Sequence, residues 1–413
     1  MNKLKGLLQV VLLLVTLNLY SQDNSFIILG VRVYDGDRTI SETNVVVREG
    51  IINSIGPTLV ADDLPQIDGN GLTLIPGFID AHTHTESIEQ LNQCLKYGVT
   101  TVLDMGTFPE HNKTLREAAA SRNDVADFRS SGIFITPPGG HGTEFGYAIP
   151  TITGPDEAEA FVNEQVELGA DYLKIVINGV RNQRSGTPTL DSATVFALVD
   201  AGHKQNKLVV AHVESANDVK LAVNAGADGL VHSWRDSGAR PDLAQLIAGN
   251  GVFVIANDIA IRDGILNSGP KQLLTDELIS PYLSDAARQD LMKTRNAQNE
   301  LTMQTSYERL QSLVDAGVLL LSGTDAFTGN PRVVHGATYH RLLELLVQAG
   351  ISPQEVLQMS TSRIADVFNL NDRGRIKPGL HADLILIEGN PTTDILDTRK
   401  ISKIWRNGLE VRR

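Results

Sequence analysis

Eight short apolar runs, each followed by a stretch long enough for a helix, set the strongest constraint on how this chain can fold. They occupy residues 78–80, 100–103, 132–135, 172–176, 208–211, 229–231, 252–255 and 318–321. Strands buried on both faces of a parallel sheet read as continuous apolar runs rather than alternating ones. Eight βα units in succession predict an α/β fold of the (β/α)8 TIM-barrel type, whose chemistry gathers at the carboxyl ends of the strands. A doubly wound open sheet is the structural alternative, and no G-x-G-x-x-G motif supports a dinucleotide-binding version of it. The helical stretches carry their own punctuation: Gly154-Pro155-Asp156 precedes one, Asp191 is placed to cap the next and Ser215 the one after. Residues 284–316 read as a long polar helix with an irregular start.

The two ends of the chain have a different texture. Residues 26–75 are rich in β-branched residues and turns, and Val45-Val46-Val47-Arg48, Glu49-Gly50, Ile51-Ile52 has the form of a tight hairpin. Asp383-Leu384-Ile385-Leu386-Ile387 and Lys403-Ile404-Trp405 return to that texture. The expectation is a small discontinuous β-sandwich domain made from residues 22–75 and 376–413, with the barrel over 76–375. Ahead of it, Lys3 and Lys5 lead into an apolar run over 7–19, too short for a comfortable transmembrane helix, and Ser21, Gln22 and Asp23 follow. Residues 1–21 therefore read as a secretory signal peptide, with an uncleaved anchor as the alternative. The expected protein is exported, periplasmic or secreted, with no stable membrane span after processing.

A length of 413 residues suits one large barrel plus a satellite domain. The formal net charge of −13, without a Lys/Arg cluster, argues against a nucleic-acid partner. Cys94 is the only cysteine, so no intrachain disulfide can form. Its apolar helical surroundings read as those of a buried, inert thiol.

The polar residues that end the apolar runs are the informative ones. His82 and His84 form a His-x-His pair, and side chains two apart on a strand point the same way. Lys174 interrupts an apolar run, where an unpaired ammonium is costly. It either snorkels to the strand end or stands as a neutral amine able to take up carbon dioxide and bridge cations as a carbamate. His212 and His232 each end a run, and Asp325 follows the last one. Ligand-type residues thus end candidate strands one, four, five, six and eight. Imidazole and carboxylate donors suit Zn(II) first, with Mn(II), Fe(II) or Co(II) as alternatives.

Pro76-Gly77-Phe78-Ile79-Asp80-Ala81-His82-Thr83-His84 resembles the first metal motif of the amidohydrolase superfamily. Ser322-Gly323-Thr324-Asp325 resembles its strand-eight aspartate, and Gly374-Arg375-Ile376-Lys377-Pro378-Gly379 with Ala382-Asp383-Leu384 its return into the β domain. Gly169-Ala170-Asp171-Tyr172-Leu173-Lys174 is similar to the prolidase-like and imidazolonepropionase-related members that carry a carboxylated lysine. The resemblance implies two divalent metal ions. His82, His84 and Asp325 would hold one, and His212 and His232 the other, with Lys174 and a hydroxide bridging them. Gly139-Gly140-His141-Gly142 resembles the substrate loop of those enzymes, which makes His141 a substrate-binding candidate; a glycine loop with a surface histidine is the plain alternative. Val334-His335-Gly336 also recurs in relatives and keeps His335 as a second candidate. His203 reads as a surface residue, His111 as part of a polar loop and His340 as structural or close to substrate. Two departures leave the substrate open: Leu103 stands where many relatives have arginine, and Val213-Glu214-Ser215 where several have a second histidine and a glycine. Glu214 either points into the site or serves as a helix N-terminal carboxylate.

The function so implied is metal-dependent hydrolysis of a C–N (amide or peptide) bond in a small molecule, a dipeptide or N-acyl amino acid. A metal-bridging hydroxide would attack the carbonyl, and Asp325 would carry its proton. Three alternatives stand beside it: an ester, lactone or phosphotriester substrate on the same metals; a mononuclear deaminase, against which Lys174 argues; and a non-catalytic secreted binding protein, against which the full ligand set argues. A homo-oligomer is left open.

Overall fold

The computed structural model describes residues 24–145, 148–179, 185–266, 268–293, 302–327 and 332–413. The expected leader at residues 1–21 lies outside the described residues. The chain opens with β1 (Phe26–Tyr34), β2 (Thr39–Arg48), β3 (Ile51–Gly56), β4 (Gln66–Asp68) and β5 (Leu72–Pro76). Parallel strands alternating with helices follow: β6 (Phe78–Thr83), β7 (Val99–Asp104), β8 (Asp127–Ser130), β9 (Leu173–Val176), β10 (Val209–His212), β11 (Gly229–Val231), β12 (Phe253–Ile255) and β13 (Leu320–Leu321). The chain returns through β14 (Leu384–Glu388), β15 (Ile401–Arg406) and β16 (Leu409–Glu410).

Strands from both ends share one eight-stranded sheet in the order β16-β15-β14-β5-β1-β2-β3, with β4 beside β1. The β2–β3 hairpin pairs Arg48 with Ile51. Its two loop residues, Glu49 and Gly50, have φ of 50° and 78°. Positive φ at both positions belongs to the type I′ turn, whose twist matches that of the flanking strands. Phe26 on β1 stacks on Trp405 of β15 with ring centroids 5.0 Å apart. Three strand spacings of a flat sheet would separate β1 from β15 by ~14 Å. The sheet therefore curls over itself and encloses its own apolar core, which includes Ile28, Val45, Leu74 and Leu384.

The middle of the chain is a mixed α/β structure with β6-β7-β8 in one parallel sheet and β9 to β13 in another. Isolated parallel bridges link Ile135, beyond β8, to Ile175 of β9, and Thr83 of β6 to Ala326, beyond β13. The third strand differs from expectation. Its ladder runs over Asp127–Ser130 rather than 132–135, of which only Ile135 bridges a neighbour. Phe128 and Ser130 are buried while Asp127 turns to Arg373 and Arg406, and this alternation with charged residues hid the strand among polar ones.

Helix punctuation follows local chemistry. Asp191 caps the helix Ser192–Lys204 by accepting from the Thr194 N–H at 2.8 Å. Ser215 and Asp218 form a reciprocal capping box at the start of Ala216–Asn224. Among the described residues, the polar stretch expected as one helix contains two, Asp285–Met292 and Met303–Asp315. His111 lies in a helix, Pro109–Ser121, rather than a loop. Cys94 is fully buried. Among the described residues no helix is long and apolar enough to cross a membrane.

Candidate metal centre

The carboxyl ends of the parallel strands bring six polar side chains into one cluster. His82 is the fifth residue of the fully buried β6, and His84 follows the strand on the same face. Their Nε2 atoms are 3.3 Å apart. Lys174, the second residue of β9, places Nζ 3.3 Å from His82 Nε2. Asp325 Oδ1 lies 3.1 Å from His82 Nε2 and 3.5 Å from His84 Nε2, and its Oδ2 lies 4.0 Å from His232 Nε2. The His212 and His232 rings meet with centroids 4.6 Å apart, and His232 is 5.3 Å from His82. All of these residues except His84 and Asp325 are more than nine-tenths buried.

The backbone is shaped for this convergence. His232 and Asp325 have φ of 72° and 60°, the left-handed region that residues with a side chain rarely enter. Each such residue costs on the order of 1–3 kcal/mol and persists only where surrounding contacts determine it. Those contacts are present. The Asp80 carboxylate accepts from the His82 and Thr324 N–H groups at 3.1 and 2.9 Å and from the Thr324 hydroxyl at 2.6 Å. This buried carboxylate stitches β6 to the segment carrying Asp325.

Burial sets the protonation states. It holds the His82 and His84 imidazoles well below their ordinary pKa, with Lys174 adding to the effect, and lowers His232 likewise, assisted by Arg235. His212 falls to about 3. The Lys174 ammonium is pulled down to about 8 by burial, against the pull of Asp325 and Asp104. Burial pushes the Asp325 carboxyl up to about 6, against Lys174.

This donor set fits divalent cations. Neutral imidazoles are the ligating form. His84 Nδ1 sits 3.2 Å from the Gly106 carbonyl, which can only accept, so its proton lies there and Nε2 carries the lone pair. His212 Nε2 is buried without a hydrogen-bond partner among the described residues, with Glu214 Oε1 3.7 Å away. One ligand atom each of His82, His232 and Asp325 lie within 4.8 Å of one another.

The two substrate-binding candidates border the cluster. The His141 ring is 5.2 Å from that of His212, and Glu144 holds its Nδ1 at 2.6 Å. His335 is buried, and burial lowers its pKa to about 4. His340 stands apart, between Thr398 and the Tyr97 carbonyl, and the half-exposed His203 pairs with Asp228. Glu214 faces His212 and Arg235, because Ser215 and Asp218 already cap the helix. Sequence reasoning missed Asp80, Asn257, and Arg235 with its partner Asp258. A signal existed for Asn257, which closes the seventh run much as His212 and His232 close theirs.

The model of the Amidohydrolase family matches residues 73–411. Ochratoxinase of Aspergillus niger is 23% identical over 267 residues, which is 62% of this chain and 49% of that protein. Adenine deaminase of Halalkalibacterium halodurans is 24% identical over 381 residues, 89% of this chain and 53% of that protein. The chain thus spans about half the length of these curated relatives. The solved structure of a Xaa-Pro dipeptidase with methionine bound in its active site superposes with a TM-score of 0.75 at 22% identity, covering 94% of this chain and 100% of that one. With the family match running over well more than half of the chain, from β5 to the last strand, the chain belongs to the amidohydrolase family.

Proposed function

We propose that this chain is a metal-dependent hydrolase of carbon–nitrogen bonds that uses two divalent cations, Zn(II) first, and acts on a dipeptide or N-acyl amino acid. One observation carries the reading: His82, His84, Lys174, His212, His232 and Asp325 converge from five strand ends on one buried point. In this reading β6 to β13 form a (β/α)8 barrel over residues 76–375, which the two linking bridges support. The curled sheet is then the small β-sandwich domain of residues 22–75 and 376–413, which its separate core supports.

Cations held by this set would supply an acidified water and a polarised carbonyl. The chain's own residues do the rest. With its pKa brought down to about 8, Lys174 has a reachable neutral form, the form that adds carbon dioxide at Nζ, releasing a proton and leaving a carbamate. Asp325, raised to about 6, is suited to take a proton from the attacking oxygen and return it to the leaving nitrogen. His141, oriented by Glu144, stands where it can meet the substrate.

A mononuclear deaminase is the second reading, favoured by the match to adenine deaminase over 89% of this chain. Elemental analysis of the wild type and Lys174→Ala, purified alike, separates the two. About two metals per chain, with a large loss in the variant, is the expected result. About one metal, untouched by the substitution, overturns the binuclear reading and leaves Lys174 structural. The dipeptidase relative is named for a dipeptide substrate, so dipeptides head the activity screen.

A further inference from the structure

Asn257 stands two residues beyond β12, fully buried. Its carbonyl accepts from the N–H groups of Ala260 and Ile261 at 3.0 and 3.2 Å, which fixes it at the start of the helix Asp258–Leu266. Its side-chain amide lies between two imidazoles. Oδ1 is 2.9 Å from His232 Nδ1, and Nδ2 is 2.5 Å from His82 Nδ1. The opposite edges of both rings, their Nε2 atoms, face Asp325.

What Nδ1 meets decides which ring nitrogen carries the proton. An acceptor keeps the proton on Nδ1 and leaves the lone pair on Nε2; a donor does the reverse. An amide offers one acceptor and one donor, and a half-turn exchanges them. We propose that Asn257 is a positioning residue shared by His82 and His232, and that the turn of its amide decides which of the two presents an Nε2 lone pair to a cation. The inference rests on the reading of this cluster as a metal site. With Oδ1 toward His232, that ring is the open donor; after a half-turn it is His82. Both open together only if a second acceptor serves the other ring. Asp258 Oδ1 is at hand, 3.7 Å from His232 Nδ1 and held by Arg235 at 2.7 Å. Arg235 Nη2, 3.1 Å from the same Nδ1, competes as a donor and makes His232 the more easily closed of the two.

Two substitutions of nearly the same shape test this. Asn257→Asp offers an acceptor to both rings, and Asn257→Leu offers none. The full chain, stripped with a chelator, is titrated with Zn(II) by calorimetry and against a chromophoric chelator. Imidazole tautomers are read from long-range 15N–1H spectra of the stripped protein. Expected are opposite tautomers for His82 and His232 in the wild type and Nδ1-protonated rings at both positions in Asn257→Asp. Zinc affinity should fall roughly 10- to 100-fold in Asn257→Leu and hold or rise in Asn257→Asp. Affinity falling alike in both variants, unchanged affinity in both, or one shared tautomer in the wild type overturns the proposal alone. A wild type that takes up no zinc overturns the metal reading and this proposal with it.

Discussion

Asp325 holds His82 twice: its backbone N–H donates to the His82 carbonyl at 2.7 Å, and its Oδ1 lies 3.1 Å from His82 Nε2. The first contact fixes where the carboxylate stands, and the second gives it a task. Asp325→Asn keeps the backbone bond and one side-chain oxygen but loses the proton acceptor. Metal content should stay near the wild-type value while turnover falls roughly 10²- to 10⁴-fold. Elemental analysis beside initial rates on the best screened substrate gives the answer. Activity that survives the change would remove Asp325 from proton transfer.

At Gly323 the segment after β13 passes against β6 with no room for a side chain. A Cβ there would lie 2.8 Å from the His82 nitrogen, 2.9 Å from His82 Cβ and 2.7 Å from Ile255 Cγ2. Two of those atoms belong to the His82 residue itself, so Gly323→Ala must displace a ligand-type side chain. We expect a stability loss of about 1–3 kcal/mol and reduced zinc occupancy. Melting curves and metal content of the variant check both. If neither moves, the contact is softer than the geometry implies.

His340 gives the fold an acid sensitivity of its own. Buried between Thr398 and the Tyr97 carbonyl, it has a pKa lowered by burial from 6.5 to about 3. The unfolded chain therefore binds the proton more readily. This contribution is complete above pH 6.5 and is lost as the pH falls from there towards 3. Each such histidine sets a slope of up to about 1.4 kcal/mol per pH unit in that window. Denaturant unfolding at several pH values should show a shallower decline for His340→Gln than for the wild type. Parallel curves would mean that His340 is not a source of the acid loss.

The alternation of parallel strands and helices was legible because buried parallel strands leave continuous apolar runs, and the clustered polar residues were legible because each broke or ended one. The third strand was not, because Asp127 and Arg129 lie at a sheet edge where partners such as Arg373 take their charges. Asn257 was passed over because an amide is not a usual ligand and its role depends on two rings from other strands. The ion pairs joining Glu214, Arg235 and Asp258 cross between two loops and the first residue of a helix, whose approach no local pattern encodes. The hairpin at Glu49-Gly50 was readable for the opposite reason: everything that determines it lies within a few residues.

The sheet built from the two chain ends also imposes an order on assembly. The Thr73 hydroxyl reaches the Gly389 carbonyl across 316 positions of sequence. Whether a chain leaves a ribosome or is threaded through a pore amino end first, β5 emerges long before β14. At ~5–20 residues per second that delay lasts on the order of tens of seconds. Throughout it, β5 offers an open edge of the kind that recruits the wrong partner. The last strands to emerge therefore act as a latch, and a chain truncated ahead of Leu384 would display that edge as a mark of its incompleteness.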